Sequence, residues 1–279
     1  MDVDLQRAQF NSLMIKTVRE FNTAWQNAWP IGAGSNRLAE QYSPMATLLP
    51  PASGLVSGQA VIRSATDSLL AYVRETTLAL TDYEGSEGIA YYYGSFEMQP
   101  RQPTAAMITG QHVTVLKRES NGFRVRMQLL LAAQAAGLPR IEAVHPSGPL
   151  TTEAMSNKGT LDRYRSGNEL MSGLRRAWSQ SDTTALFGLF EHGAMVQLPG
   201  QAVGGKLNQV HARKDLIDYL ARSGELHMVT LDFDGASRMS VIVGRYYLEV
   251  DGSPSIDGYF AMVVTGYRDD WRIRSLILS

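Results

Sequence analysis

The chain has 279 residues, with 26 lysines and arginines against 27 aspartates and glutamates, 44% hydrophobic residues and no cysteine. That length and composition describe a folded globular protein of one large or two ordinary domains, not a disordered one. A net charge of −1, balanced in both halves, leaves no basic excess for nucleic acid, and the missing cysteines exclude disulfides, thiolate nucleophiles and cysteine-based metal sites.

The chain starts Met-Asp-Val-Asp-Leu-Gln-Arg, polar and acidic, with no basic start ahead of an apolar stretch. No run approaches the roughly 20 apolar residues of a membrane helix. The expectation is a cytoplasmic protein without a membrane partner. Met14, Val18, Phe21, Trp25 and Trp29 recur at helical spacing and predict an amphipathic first helix. A short second helix and a strand closed by prolines follow across Leu38 to Pro51. Gly58 introduces a third helix carrying Val61, Ile62, Ala65, Leu69 and Tyr72. Ile89 to Met98, with Gly94 inside it, reads as a bent strand. Two further strands begin at Gly110 and Phe123. Residues 132–159 hold Pro139, Pro146 and Pro149 among Gly, Ser and Thr, the composition of a linker.

The same order then recurs. Tyr164, Met171, Leu174 and Trp178 form the first stripe, and Leu186 to Pro199 the second segment. Val210, Ile217 and Leu220 mark the third helix, and Met239 to Val250 carries Gly244 where the first copy has Gly94. The strand at Gly258 ends in Asp-Trp-Arg-Ile-Arg where the one at Gly110 ends in Gly-Phe-Arg-Val-Arg, with no gap between the two alignments. A repeat of this period means two copies of one domain, over residues 1–131 and 160–279.

On Ala28-Trp29, Leu38 to Pro51, Ser95-Phe96-Glu97 and Gly122-Phe123-Arg124, and their counterparts Ala177-Trp178, Leu186 to Pro199, Gly244-Arg245-Tyr246 and Asp270-Trp271-Arg272, each copy resembles the nuclear transport factor 2-like superfamily. The likeness is to its SnoaL-like and ketosteroid-isomerase-like branch. The resemblance implies an α+β fold: two tandem cone-shaped α+β-barrel domains, each with about three helices packed on a strongly bent antiparallel sheet and an apolar pocket at the open end. It also implies dimerisation, which a fused pair would satisfy as an intrachain pseudo-dimer, with further homo-oligomers left open. The isomerase relatives use an Asp base and an oxyanion hole of a Tyr and a neutral Asp, the arrangement that serves as a standard illustration of pKa tuning. The base position falls on Pro50 and Leu198, and the acidic donor on Thr114 and Met262, so that set is missing from both copies.

Candidate chemistry therefore centres on the first copy. His112 and Thr114 stand where the second copy has Phe260 and Met262, a polar handle in an otherwise apolar interior. Two readings of His112 stand open: an acid or base near neutral pH, or a core histidine held by one partner. Glu97 completes the catalytic candidates. Trp25, Trp29, Tyr72, Tyr91, Tyr93 and Leu116 are the candidate ligand-binding residues, and of the three consecutive tyrosines at 91–93 at least one must face inward. Arg245, Tyr247 and Glu249 share one strand face, either part of a hydrolase-like site or a solvated face with a salt bridge. No His-Glu-x-x-His pairing occurs, so neither a metal nor another cofactor is expected. The functions that remain are a small-molecule enzyme (isomerase, cyclase, dehydratase or hydrolase) acting on an apolar oxygenated compound, a non-catalytic binding protein for such a compound, and an assembly module.

Overall fold

The structure, a computed structural model, describes residues 3–28, 34–86, 88–120, 122–132, 138, 141–142, 158–201, 204–250, 255–267 and 270–278. The chain divides into two compact units, Met1–Pro146 and Ser147–Ser279. Unit one runs α1 (Val3–Ala28), α2 (Gly34–Ala39), β1 (Tyr42–Leu49), β2 (Val56–Ser57), α3 (Gln59–Tyr72), β3 (Val73–Leu78), β4 (Asp82–Ser86), β5 (Ile89–Pro100), β6 (Ile108–Glu119) and β7 (Gly122–Ala132). Unit two runs α4 (Lys158–Ser179), α5 (Thr183–Gly188), β8 (Phe190–Gln197), β9 (Gly205–Lys206), α6 (Val210–Leu220), β10 (Ser223–Ala236), β11 (Met239–Val250), β12 (Ile256–Tyr267) and β13 (Asp270–Leu278).

Each unit is a mixed α+β fold built on one sheet. The orders are β2-β1-β7-β6-β5-β3, with β4 also on β5, and β10-β11-β12-β13-β8-β9. The sheets are not wholly antiparallel as expected: β1 runs parallel to β7, and β8 parallel to β13. Both pairs join strands far apart in the chain, and only such long connections allow parallel neighbours.

The helices cover one face of each sheet. In unit one, Met14, Val18 and Phe21 of α1 and Ile62, Ala65 and Leu69 of α3 are buried against Leu48, Phe96, Leu116 and Leu130. In unit two, Met171, Leu174 and Trp178 of α4 meet Ile242, Phe260 and Met262. Each such large side chain removed from water contributes roughly 1.5–3 kcal/mol. On α6 the stripe differs from the sequence expectation. Ala212, Leu216 and Leu220 are buried, whereas Val210 is 84% and Ile217 39% exposed. The helix meets the sheet one residue out of phase with its most apolar positions. Of residues 132–159, the described Leu138 and Ile141 pack on the core of unit one, and Ile141 exchanges hydrogen bonds with Ser53 and Gly54.

The bend of each sheet is written in a glycine. A Cβ on Gly94 would lie 1.7 Å from the carbonyl oxygen of Ala79, and one on Gly244 2.0 Å from that of Val229. Only glycine permits this approach of the neighbouring strand. In unit two the strand opposite absorbs the bend as a bulge, with Thr230 facing Gly244 and Asp232 facing Val243. In unit one the strand breaks altogether into β3 and β4, and Ala79 and Thr81 hold the gap through hydrogen bonds to Ser95 and Tyr93. The repeated aromatic-Arg motif has a matching role in both units. Arg124 donates to the carbonyl of Glu40 at 3.0 Å, and Arg272 donates to that of Gly188. Each guanidinium ties the last strand to the end of the short second helix, satisfying a carbonyl that the helix leaves over.

Candidate functional site

The break between β3 and β4 leaves the Ala79 carbonyl directed at the inner face of β5, and no backbone N–H among the described residues takes it. Gly94 pairs with His112 across β5 and β6, so the imidazole stands beside that carbonyl. His112 Nε2 lies 3.1 Å from Ala79 O, and Nδ1 lies 3.3 Å from Thr114 Oγ1. A carbonyl can only accept, so Nε2 carries the proton and Nδ1 accepts from the threonine hydroxyl. Gln128 Nε2 then donates to Thr114 Oγ1 at 3.0 Å, and Tyr42 OH donates to Gln128 Oε1 at 2.5 Å. The result is a chain of hydrogen bonds in one direction: Tyr42 to Gln128 to Thr114 to His112 to Ala79. Tyr92, opposite Thr114 in the register, meets the His112 ring edge-on at 5.3 Å.

All of these side chains are fully buried. Burial pushes the His112 pKa down to about 4, with its hydrogen bond to Ala79 opposing the shift. Burial also raises the Tyr92 phenol, and its hydrogen bond with the Thr114 side chain opposes that shift. At neutral pH the site thus holds a neutral imidazole with both nitrogens engaged and a phenol that keeps its proton. It is suited to hydrogen bonding and poorly suited to accepting a proton from a substrate.

Unit two answers each member with an apolar residue. The strand pairings place Phe190 for Tyr42, Leu276 for Gln128, Met262 for Thr114, Phe260 for His112 and Ile242 for Tyr92. All five are buried in its core.

Of the residues singled out in the sequence, the structure brings His112, Thr114 and Leu116 onto one inner face. Tyr91 and Tyr93 lie on the opposite face of β5, where Tyr91 OH donates to Asp82 at 2.5 Å. The inward tyrosine is Tyr92. Glu97 is exposed on that same outer side, away from His112, and Tyr72 is half-buried at the end of α3 against the core. Trp25 belongs to α1 but its side chain falls outside the described residues, and Trp29 lies outside them altogether. Sequence reasoning missed Tyr42, Tyr92 and Gln128. The signal for two of them was present: Gln128 is the one amide in Met-Gln-Leu-Leu-Leu, and Tyr42 aligns with Phe190.

Arg245 pairs with Asp257 at 2.6 Å on an exposed face, and Tyr247 OH donates to Ser255, which is the solvated arrangement. A separate cavity of about 170 Å³ in unit two is bordered by Leu198, Gln201, His211 and Asp215. Among the described residues no three metal-ligating side chains gather, and no helix is long and apolar enough to cross a membrane.

No family model and no curated protein matches the chain. Solved structures similar to it include an NTF-2-like protein of unknown function from Shewanella oneidensis, 22% identical, covering 42% of this chain and 98% of the other with a TM-score of 0.35. Another is a ketosteroid isomerase-like protein from Erwinia carotovora atroseptica, 12% identical, covering 43% and 95% with a TM-score of 0.38. Each spans about the length of one unit.

The histidine makes a pH prediction. Its folded pKa lies below the unfolded value near 6.5, so the unfolded chain binds more protons between pH 6.5 and 4. The contribution of neutral His112 is complete above pH 6.5 and is lost as pH falls towards 4, on the order of 3 kcal/mol in all. Urea unfolding at pH 7 and pH 4.5 is expected to show a steeper loss of stability in the wild type than in His112→Gln. Parallel losses would contradict the assignment.

Proposed function

We propose that unit one binds a small, largely apolar, oxygen-bearing molecule in its interior, and that unit two serves as a filled structural partner. One observation carries this reading: the buried polar chain of unit one occupies positions that unit two fills with apolar side chains on the same framework. Taking hydroxyl, amide and imidazole groups out of water is costly, and the sister unit builds the same strand framework with apolar residues at these positions. Polar groups converging in an apolar interior are the usual composition of a ligand site. Binding is favoured over turnover because Pro50 and Leu198 occupy the base positions and His112 offers no free lone pair. Since His112, Thr114 and Gln128 have no exposed surface, entry requires the helices over this face to move, so ligand affinity includes the cost of opening.

The test is a thermal-shift screen of the whole chain against steroids, terpenoids, polyketide-like phenols and flat aromatics. A ligand at a hundredfold its Kd adds about 2.7 kcal/mol to stability and raises Tm. The rise should disappear in Thr114→Val. Silence across all four classes would contradict the proposal.

A second reading, assembly, is supported by the far face of each sheet. Val113, Val115, Met127 and Leu129 in unit one, and Val241, Val243, Ala261 and Val263 in unit two, lie outside the helix-covered cores yet are apolar. Strands apolar on both faces are strands meant to be covered on both.

A further inference from the structure

Two further polar side chains of the unit-one interior stand outside the His112 chain, at the seam where α1 lies against β3. Asn22 of α1 is 8% exposed and directs Nδ2 at the carbonyl of Leu78, 3.5 Å away. Gln26, one turn further along, donates to the same carbonyl at 3.1 Å. A carbonyl only accepts, so it orients the Asn22 amide and leaves Oδ1 as the atom without a task. That oxygen is buried and has no hydrogen-bond partner. Thr76 precedes Leu78 by two residues on the inner face of β3, opposite Met98 of the core, and is 4% exposed. Its hydroxyl is also buried and without a partner. Such groups are rare in folded interiors and costly to keep.

Unit two has neither. Where Asn22 stands seven residues before Trp29, Met171 stands seven before Trp178. Where Met98, four residues beyond Gly94, pairs with Thr76, Leu248, four beyond Gly244, pairs with Leu226. Met171 and Leu226 are both buried in that core, so the framework itself does not require polar groups at this seam.

The two groups of unit one are complementary. Asn22 Oδ1 calls for a donor and the Thr76 hydroxyl for an acceptor. Asn22 is anchored at Leu78, and residues two apart on one strand face are spaced by about 7 Å. A single oxygen hydrogen-bonded on both sides spans about 5.5 Å, the right scale to reach both. A hydroxyl donates and accepts at one atom. A ketone or ether would leave the asparagine oxygen unserved, and a carboxylate or ammonium would bury an unpaired charge. Resting on the proposal that this interior is a binding site, we infer that the α1–β3 seam receives the hydroxyl of an alcohol or phenol, which donates to Asn22 Oδ1 and accepts from Thr76 Oγ1. Asn22 and Thr76 are then the specificity-determining residues of the interior.

Two measurements on the full chain test this. The first needs no ligand. Thr76→Val keeps the side-chain volume and removes an unpartnered hydroxyl, so its Tm should equal or exceed that of the wild type. A fall of more than about 2 °C would mean that the hydroxyl is already satisfied in the free protein, by the chain or by a held water, and would overturn the inference. The second is calorimetric titration with 2-naphthol and 2-methylnaphthalene, which exchange a hydroxyl for a methyl group on the same rings. The ratio of the two affinities should shift at least tenfold towards the hydrocarbon in Thr76→Val, and likewise in Asn22→Met, which copies unit two. A smaller shift in either variant overturns the hydroxyl subsite and leaves the binding site standing. Failure of the wild type to bind either compound counts against the binding site itself, and against the subsite with it.

Discussion

One backbone carbonyl organises unit one. At Gly94 the adjacent strand approaches so closely that no side chain fits between them, and the price of that bend is a break between β3 and β4 with the Ala79 oxygen facing inward. A buried carbonyl needs a donor. His112 supplies it from the next strand, and the tautomer this enforces obliges Thr114 to donate, Gln128 to follow and Tyr42 to close the chain. The polar interior is thus a consequence of how the sheet turns, propagated strand by strand through the register. Its burial keeps the imidazole neutral, with both ring nitrogens engaged in hydrogen bonds.

The duplicated unit shows which features the fold demands and which it leaves free. Both sheets keep the glycine at the bend and both use an arginine of the last strand to hold the end of the short helix. These satisfy backbone geometry, and neither has an inexpensive substitute. The interior does have one. Where β10 absorbs the bend as a bulge and stays a single strand, Phe260 lies against Gly244 and the five interior positions become apolar. The same framework accepts either solution.

Much of this was legible in the residues. The doubled strand from Gly110 and Gly258 located the last two strands of each unit, and the glycines at 94 and 244 marked the bends. The contrast between His112-x-Thr114 and Phe260-x-Met262 marked two positions that the structure places on the inner face of β6. What remained hidden depends on pairing across the sheet. Alternation along β5 shows that 91 and 93 oppose 92, but which side is the interior is decided by the register with β6, and that rests on contacts distant in sequence. Gln128 and Tyr42 reach Thr114 from β7 and β1, strands separated from each other by most of unit one. The parallel setting of β1 on β7 leaves no local signature either. The phase of α6 was equally hidden: Leu216 and Ile217 are comparable apolar residues, and only the position of the sheet beneath them selects the first.

The claim on which the account stands is that His112 is a neutral imidazole donating from Nε2 to Ala79. Nitrogen-15 NMR of histidine-labelled protein at pH 6 measures it directly. The account predicts one ring held as the neutral Nε2–H tautomer, its Nδ1 shift that of an unprotonated nitrogen, lost in His112→Gln. An imidazolium at that pH, or the Nδ1–H tautomer for His112, would contradict it.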